Sequence, residues 1–268
     1  MRGKTESDRL DVLIVTVREQ YYIPKFLKSI LETDKIRTVG ITTLPPSLGT
    51  ESLPSFLWKL FGQFGPKVFS KHVGFYGTYR LLDTVNRFTG LGGAYSPRTL
   101  AKRHGIEYRH VKDVNDEYYI EYAESLSPDV LVSVAATQKF EPELLDIPSE
   151  AAINIHSSLL PEYKGVSPSF WSLLHDESKT GITVHYMDEK IDAGDIIRRK
   201  PIDIHEDDTL HTLNKRVAEQ GSDLLFEALE AIRTGSVDAE PMPEGGSYYS
   251  MPDRDNVKQF LEQGNRFF

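Results

Sequence analysis

The sequence predicts an α/β fold: a Rossmann-like, doubly wound, mostly parallel sheet with a helical, aromatic insertion and a short C-terminal extension. Three observations carry that expectation. Short apolar, β-branched runs without strict alternation read as strands buried on both faces. Amphipathic stretches of helical period separate them, the alternation of βαβ units. The composition, 39% hydrophobic and 26% charged over 268 residues, is that of a globular chain with enough apolar material for a core.

Residues 11–17 (DVLIVTV) are the first such run. Pro24 opens a helix that places Phe26, Leu27, Ile30 and Leu31 on one face. Residues 37–44 form a second strand. The alternation resumes with a helix at 97–104, a strand at 106–111, a helix at 117–126, a strand at 129–135, a short helix near 142–145 and a strand at 151–156. From Gly181 the pattern is more extended: GITVHYMD and DIIRRKPIDI read as two strands joined by a loop. Asp207 or Asp208 is placed to cap a helix over 209–232, where Leu210, Leu213, Val217, Leu224, Leu225 and Leu229 recur at helical spacing. A tail rich in Gly, Pro and Tyr follows Gly235 and ends in a short helix near 254–262. The expected organisation is an α/β domain over 11–205, with an insertion at about 46–95, and a C-terminal helix and tail over 206–268.

The insertion breaks the rhythm. Residues 52–82 hold Lys59, Lys67, Lys71 and Arg80 and no acidic residue, a local charge of +4. Phe56, Trp58, Phe61, Phe64, Phe69, Phe75, Tyr76 and Tyr79 crowd into the same segment. Two readings stand. The aromatic residues pack an insertion onto the core, or they build a basic surface for an anionic, nucleotide-bearing or membrane-associated substrate. Downstream, residues 90–95 (GLGGAY) begin like a dinucleotide fingerprint but end in Tyr and follow no strand, so they read as a turn.

Composition excludes several chemistries. Without cysteine there is no disulfide framework, Cys-ligated zinc, iron–sulfur cluster or Cys nucleophile. A net charge of -9 disfavours a surface that tracks nucleic acid throughout. No secretory h-region and no run of about 20 apolar residues occurs, so a cytoplasmic protein is expected.

The informative stretch is 153–165, INIHSSLLPEYKG. Asn154 and His156 stand two apart on a strand, so both side chains leave the same face. They lie at its C-terminal end, where open α/β sheets place ligand crevices. Pro161 and Gly165 bracket a loop that can wall the crevice. Asp192 lies in a Gly-containing loop between two later strands; a carboxylate meeting the imidazole would hold its tautomer and raise its pKa. Residues 134–142 (VAATQKFEP) form another strand-end loop on the same side, offering backbone polar groups to a flat heterocycle. Taken alone, an Asn-x-His pair is more often a hydrogen-bonded structural pair.

The ordered combination N-I-H-x-S-L-L-P-x-Y-x-G, then G-I-T-V-H, then D-x-G-D resembles the 10-formyltetrahydrofolate-dependent formyltransferases. That family includes glycinamide ribonucleotide formyltransferase, methionyl-tRNA formyltransferase and the nucleotide-sugar N-formyltransferases. The resemblance covers roughly 11–232 and is densest over 129–205. It implies the formyltransferase fold, 10-formyltetrahydrofolate as formyl donor, no metal, and Asn154, His156 and Asp192 as the catalytic trio. It also implies that Val134, Thr137, Gln138, Lys139 and Phe140 on one loop, with Asp188, Lys190 and Ile191 on another, embrace the pterin. Arg18, Tyr163, Gly165 and His185 fall to the acceptor side. In this reading an amine attacks the formyl carbon, Asn154 and a protonated His156 donate to the oxyanion, and Asp192 keeps His156 charged and relays the proton.

Departures from the subfamilies bear on the acceptor. Glycinamide ribonucleotide formyltransferases carry a Gly- and Ser-rich phosphate loop after the first strand, where this chain reads Thr16-Val17-Arg18-Glu19-Gln20-Tyr21. Methionyl-tRNA formyltransferases carry a C-terminal domain that helps hold tRNA, whereas residues 206–268 contain 13 acidic and 6 basic residues, a local charge of -7. Formyltetrahydrofolate hydrolases join a regulatory domain to this catalytic one, and none precedes Asp11 here. A small-molecule amine, an amino sugar on a nucleotide diphosphate, is the expected acceptor; the 52–82 segment, Arg18, Arg98, Tyr248 and Tyr249 could meet its diphosphate and base. Methionyl-tRNA formyltransferase-like activity is the alternative, and a catalytically inactive folate- or sugar-binding protein the second. The aromatic segment or the tail could also join a homodimer.

Overall fold

In the computed structural model, which describes residues 9–46, 53–90 and 93–268, the first apolar run is strand β1 (Leu10–Val17), an interior strand of the sheet. Its alternation sorts the molecule into two layers. Val12 and Ile14 face one core with Ile23, Phe26, Leu27 and Ile30 of helix α1 (Tyr22–Leu31). Leu13 and Val15 face the other. There they meet Leu44 of β2 (Ile36–Leu44), Tyr119 and Ala123 of α4 (Glu117–Leu126), and Leu144 of α5 (Pro142–Leu145). A strand covered on both faces needs no polar side, which explains its unbroken apolar run.

Between β2 and α4 the chain forms α2 (Leu53–Thr89), α3 (Pro97–His104) and the short edge strand β3 (Glu107–His110). After α4 come β4 (Val130–Val134), α5 and β5 (Ala151–His156). The rest is β6 (Lys164–Gly165), α6 (Pro168–Leu174), β7 (Lys179–Tyr186), β8 (Ile196–Asp203), α7 (Leu210–Thr234), β9 (Tyr248–Tyr249) and α8 (Arg254–Glu262). The large sheet has the order β3-β2-β1-β4-β5-β7-β8. Its first five strands are parallel; β7 and β8 are added antiparallel, as the two late strands and their loop foreshadow. Strand order reverses between β1 and β4, so the crevice rule points to the carboxyl ends of these strands.

The cap of α7 differs from expectation. Thr209, not Asp207 or Asp208, caps it, with Thr212 closing a reciprocal capping box. Asp208 accepts instead from Thr212 Oγ1, from both terminal nitrogens of Arg216 and from the His205 amide, so it braces the turn before the helix. Residues 206–268 are woven into the main core: Leu213, Val217, Leu224, Leu225, Val257, Phe260 and Phe267 all join the cluster around α1 and the sheet.

The insertion is a long helix in two arms, broken at Gly65 (φ 70°, ψ 168°), with Pro66 starting the second arm. Its inner face packs as the first of the two readings has it. Phe75 meets Tyr21, His211 and Phe268, and Phe64 meets Phe267 in an edge-on contact. Buried Asp83 accepts from Ser96 Oγ and Thr99 Oγ1, tying α2 to the start of α3. Of the 90–95 turn, Leu91 and Gly92 lie outside the described residues; the Gly93 carbonyl accepts from Asn86 Nδ2.

Candidate active site

Asn154 and His156 sit on the last turn of pleat in β5, and the pairing of β5 with β7 puts His185 directly opposite Asn154. Asp192 arrives from the loop between β7 and β8. All four groups converge. Asn154 Nδ2 donates to His185 Nε2 (3.1 Å) and lies 3.5 Å from Asp192 Oδ1. Asp192 Oδ1 is also 3.6 Å from both His156 Nδ1 and His185 Nε2, while its Oδ2 accepts from the Gly165 amide at 2.8 Å.

Partner chemistry fixes the two rings. A carbonyl only accepts, so His156 Nε2, 2.8 Å from the Tyr163 carbonyl, carries its proton and leaves Nδ1 facing Asp192. His185 Nδ1 donates to the Tyr186 carbonyl at 2.7 Å, leaving Nε2 as the acceptor for Asn154. His185, 2% exposed, is therefore both a satisfied buried histidine and part of the site wall.

The electrostatics correct one expectation. Burial pushes the His156 pKa below the ordinary histidine value, and the opposing pull of Asp192 does not overcome it. The resting ring is thus neutral at neutral pH, not the charged donor expected from sequence. Burial would raise the Asp192 pKa, but the polar groups around it, among them the Gly165 amide that donates to Oδ2, outweigh it and hold the carboxyl below its usual value. The site at rest is an ionised Asp192 beside a neutral, proton-accepting His156 Nδ1.

These groups open on a cavity of about 610 Å3, a volume that suits a small-molecule ligand. Val134 at the end of β4 and Thr137, Gln138, Lys139 and Phe140 in the loop after it line the cavity, as do Asp188, Lys190 and Ile191 from the loop after β7. Several of these have structural partners. Thr137 Oγ1 donates to the Pro45 carbonyl, Gln138 accepts from the Val114 amide, and the Phe140 ring is buried in the second core cluster. Gly165 and His185 also line the cavity. Arg18 and Tyr163 are not among its lining residues. Arg18 is exposed past the end of β1, and the Tyr163 hydroxyl donates to Glu177, outside the cavity lining, while its carbonyl holds His156. Arg98 is exposed on α3, whereas Tyr248 joins the lining and Tyr249 stacks on Tyr163 and Trp171.

Three lining groups escape the sequence reading. Glu19 accepts from the backbone amides of Tyr21 (2.8 Å) and Ile23 (2.9 Å). A carboxylate of the chain itself thereby fills the anion position at the start of α1, and burial raises its pKa. Tyr22 Oη is 2.7 Å from His211 Nδ1. On α7, Asn214, Ala218 and Gly221 face the cavity. Their spacing of four and three along a buried face, small or polar where Leu would fill a core, is the signal that could have found them. Backbone strain gathers here too: Ala135, Ser167 and Asp192 line the cavity with positive φ, and Tyr163, also at positive φ, holds His156.

Comparison with known proteins gives a concordant picture. A family model described as formyl transferase matches residues 86–229, more than half of the chain. A methionyl-tRNA formyltransferase of Bacillus subtilis is 40% identical over 150 residues, 56% of this chain and 47% of that protein. The chain spans about half the length of the curated relatives it matches. Among solved structures, the formyltransferase PseJ from Anoxybacillus kamchatkensis, in complex with UDP-4,6-dideoxy-4-formamido-L-AltNAc and tetrahydrofolate, is 30% identical with a TM-score of 0.50, covering 62% of this chain and 86% of that one. Glycinamide ribonucleotide transformylase 1 from Symbiobacterium toebii shares the fold, with a TM-score of 0.61 at 15% identity over 91% of this chain and 99% of that one.

Proposed function

Because this chain belongs to the formyl transferase family, we propose that it transfers a formyl group from 10-formyltetrahydrofolate to the primary amine of a nucleotide-linked amino sugar. The observation that carries this reading is the convergence of Asn154, His156 and Asp192 at one end of a ligand-sized cavity, with both strand-end loops on its walls.

The geometry suits direct transfer. The acceptor nitrogen attacks the formyl carbon, the carbonyl oxygen becomes an oxyanion, and the bond from that carbon to the folate nitrogen then breaks. Asn154 offers the oxyanion an N–H whose contact with Asp192 is long (3.5 Å) and so is given up at little cost. The neutral His156 takes the proton of the attacking amine at Nδ1, and Asp192 stabilises the imidazolium formed 3.6 Å away. The same proton then passes to the departing nitrogen. Asp192 thus supports the charged ring during the reaction rather than before it.

The amino-sugar acceptor is supported by the 30%-identical neighbour whose complex holds a UDP-linked formamido sugar. Glu19 argues against a phosphate at the start of α1, since it already uses the amides of Tyr21 and Ile23. A second reading, methionyl-tRNA as acceptor, is favoured by the curated relatives at 32–40% identity. Nucleotide-linked amino sugars and methionyl-tRNA, each offered with 10-formyltetrahydrofolate, separate the two by which one drives tetrahydrofolate release. The expected result is turnover with an amino sugar that falls by about 10²–10⁴ in His156→Ala, as loss of a general base does. Equal, background-level release from both proteins across the panel would favour the binding-protein alternative.

A further inference from the structure

We propose that the outer face of α2 is an interfacial surface that docks the protein on an anionic lipid bilayer. The second arm of this helix is apolar on two sides. Val68, Phe75, Tyr79 and Asp83 face inward, onto the body of the molecule. At 100° per residue, Gly77, Leu81, Val85 and Phe88 fall on the opposite side. That side is open to solvent: Leu81 is 64% exposed and Phe88 87%. Trp58, on the first arm, is 76% exposed. An apolar stripe normally packs against something, and this one has no cover among the described residues.

Charge selects the cover. Residues 53–89 contain five Lys and Arg and a single acidic residue, Asp83, within a chain of net -9. Arg80 flanks the outer stripe on one edge, with Arg87 beside it 3.6 Å from Asp83, and Lys67 and Lys71 flank the other; the second carboxylate oxygen of Asp83 points inward to Ser96 and Thr99. Two copies joined through this stripe would oppose like charges. An RNA backbone would satisfy the cations but leave Leu81 and Phe88 in water. An anionic lipid surface takes both: acyl-boundary contact for the stripe and headgroups for the flanking cations. The mode is peripheral, since no described helix is long and apolar enough to cross a membrane.

The docking surface lies close to the cavity. Tyr21, between the cavity-lining Glu19 and Tyr22, packs edge-on against Phe75 at 5.0 Å and Tyr79 at 4.8 Å on the inner face of α2. The bilayer would therefore sit about one helix diameter, ~10 Å, from the cavity wall.

Flotation of the full chain with phosphatidylglycerol-containing vesicles tests this, against pure phosphatidylcholine vesicles. The expected result is binding only to the anionic vesicles, weakened by salt, and reduced roughly tenfold or more in Leu81→Glu/Phe88→Glu. Both side chains are exposed, so an unchanged melting temperature shows that the variant is folded. Trp58 emission should shift to the blue on anionic vesicles; the other tryptophan, Trp171, is only 7% exposed and does not mask it. Failure to float at low salt, or flotation unchanged in the double variant, overturns the proposal. So does a dimer in sedimentation velocity that the double variant dissociates, or salt-dependent tRNA binding that anionic vesicles do not displace.

Discussion

At His156 two opposing effects act on one ring. Desolvation disfavours the imidazolium and Asp192 favours it, and desolvation wins, so the folded pKa lies below the ordinary histidine value of about 6.5. Two pH dependences follow. Transfer that needs a neutral Nδ1 should be constant at neutral pH and fall only as pH drops through the folded pKa. A pH–rate profile with its acid limb below 6.5 agrees; an acid limb above that value would contradict the assignment. For stability, the unfolded chain binds a proton near 6.5 while folded His156 does not, so the unfolded state holds more protons in the window between the two values. Stability should therefore decline as pH falls below about 6.5, and the decline should be smaller in His156→Gln, measured by urea denaturation at several pH values. Gly165 is the second sensitive residue. Its φ is 94°, its amide holds Asp192, and an added Cβ would sit 2.3 Å from the Tyr249 carbonyl. Gly165→Ala should cost about 1–3 kcal/mol of stability from backbone strain alone. Loss of transfer activity beyond what unfolding explains would show that Asp192 has lost its tether.

The element that most depends on one backbone position is α2. Gly65 adopts a conformation that is almost confined to glycine, and it turns the first arm so that Phe64 reaches Phe267 while the second arm lays Phe75 on Tyr21. Gly65→Ala has open space for its methyl group, so any effect comes from the backbone. The expected loss is about 1–3 kcal/mol in chemical denaturation, with Asn154, His156 and Asp192 untouched. Elsewhere the elements follow local rules. The helices at 97–104 and 117–126 have the bounds that Ser96 and Asp116 caps dictate. At α7 the sequence pointed to Asp207 or Asp208 as the cap, but Arg216 draws Asp208 away to a paired contact and Thr209 caps the helix instead.

For the molecule as a whole, the C-terminal residues are structural members of the layer that walls the cavity. Phe260, fully buried, stacks at 4.7 Å on Phe170, which lines the cavity from α6. Phe260→Ala should cost about 3–5 kcal/mol, as large-to-small changes in a packed core do. Because tail and sheet share one core, near-UV and far-UV signals should be lost together in thermal melts of both proteins. Distinct transitions would mean that 206–268 unfolds on its own. Charge also has a whole-molecule pattern. The basic helix and the acidic remainder are separated in space by the packing of α2 on its inner face, which leaves the cations at the surface.

By itself, the sequence determined the alternation of buried strands and amphipathic helices, because hydrophobic period and cap residues are local properties. It also put Asn154 and His156 on one strand face by parity, and the resemblance implied Asp192 as their partner; the structure brings the three together. Only the tertiary structure decided the protonation state of His156, since burial depends on what packs around the ring. It alone showed that Glu19 fills the helix start where a phosphate could bind, and that α7 supplies Asn214, Ala218 and Gly221 to the wall. Those groups come together across the chain: local spacing marks a helix face left small or polar at Asn214, Ala218 and Gly221, but not what that face packs against.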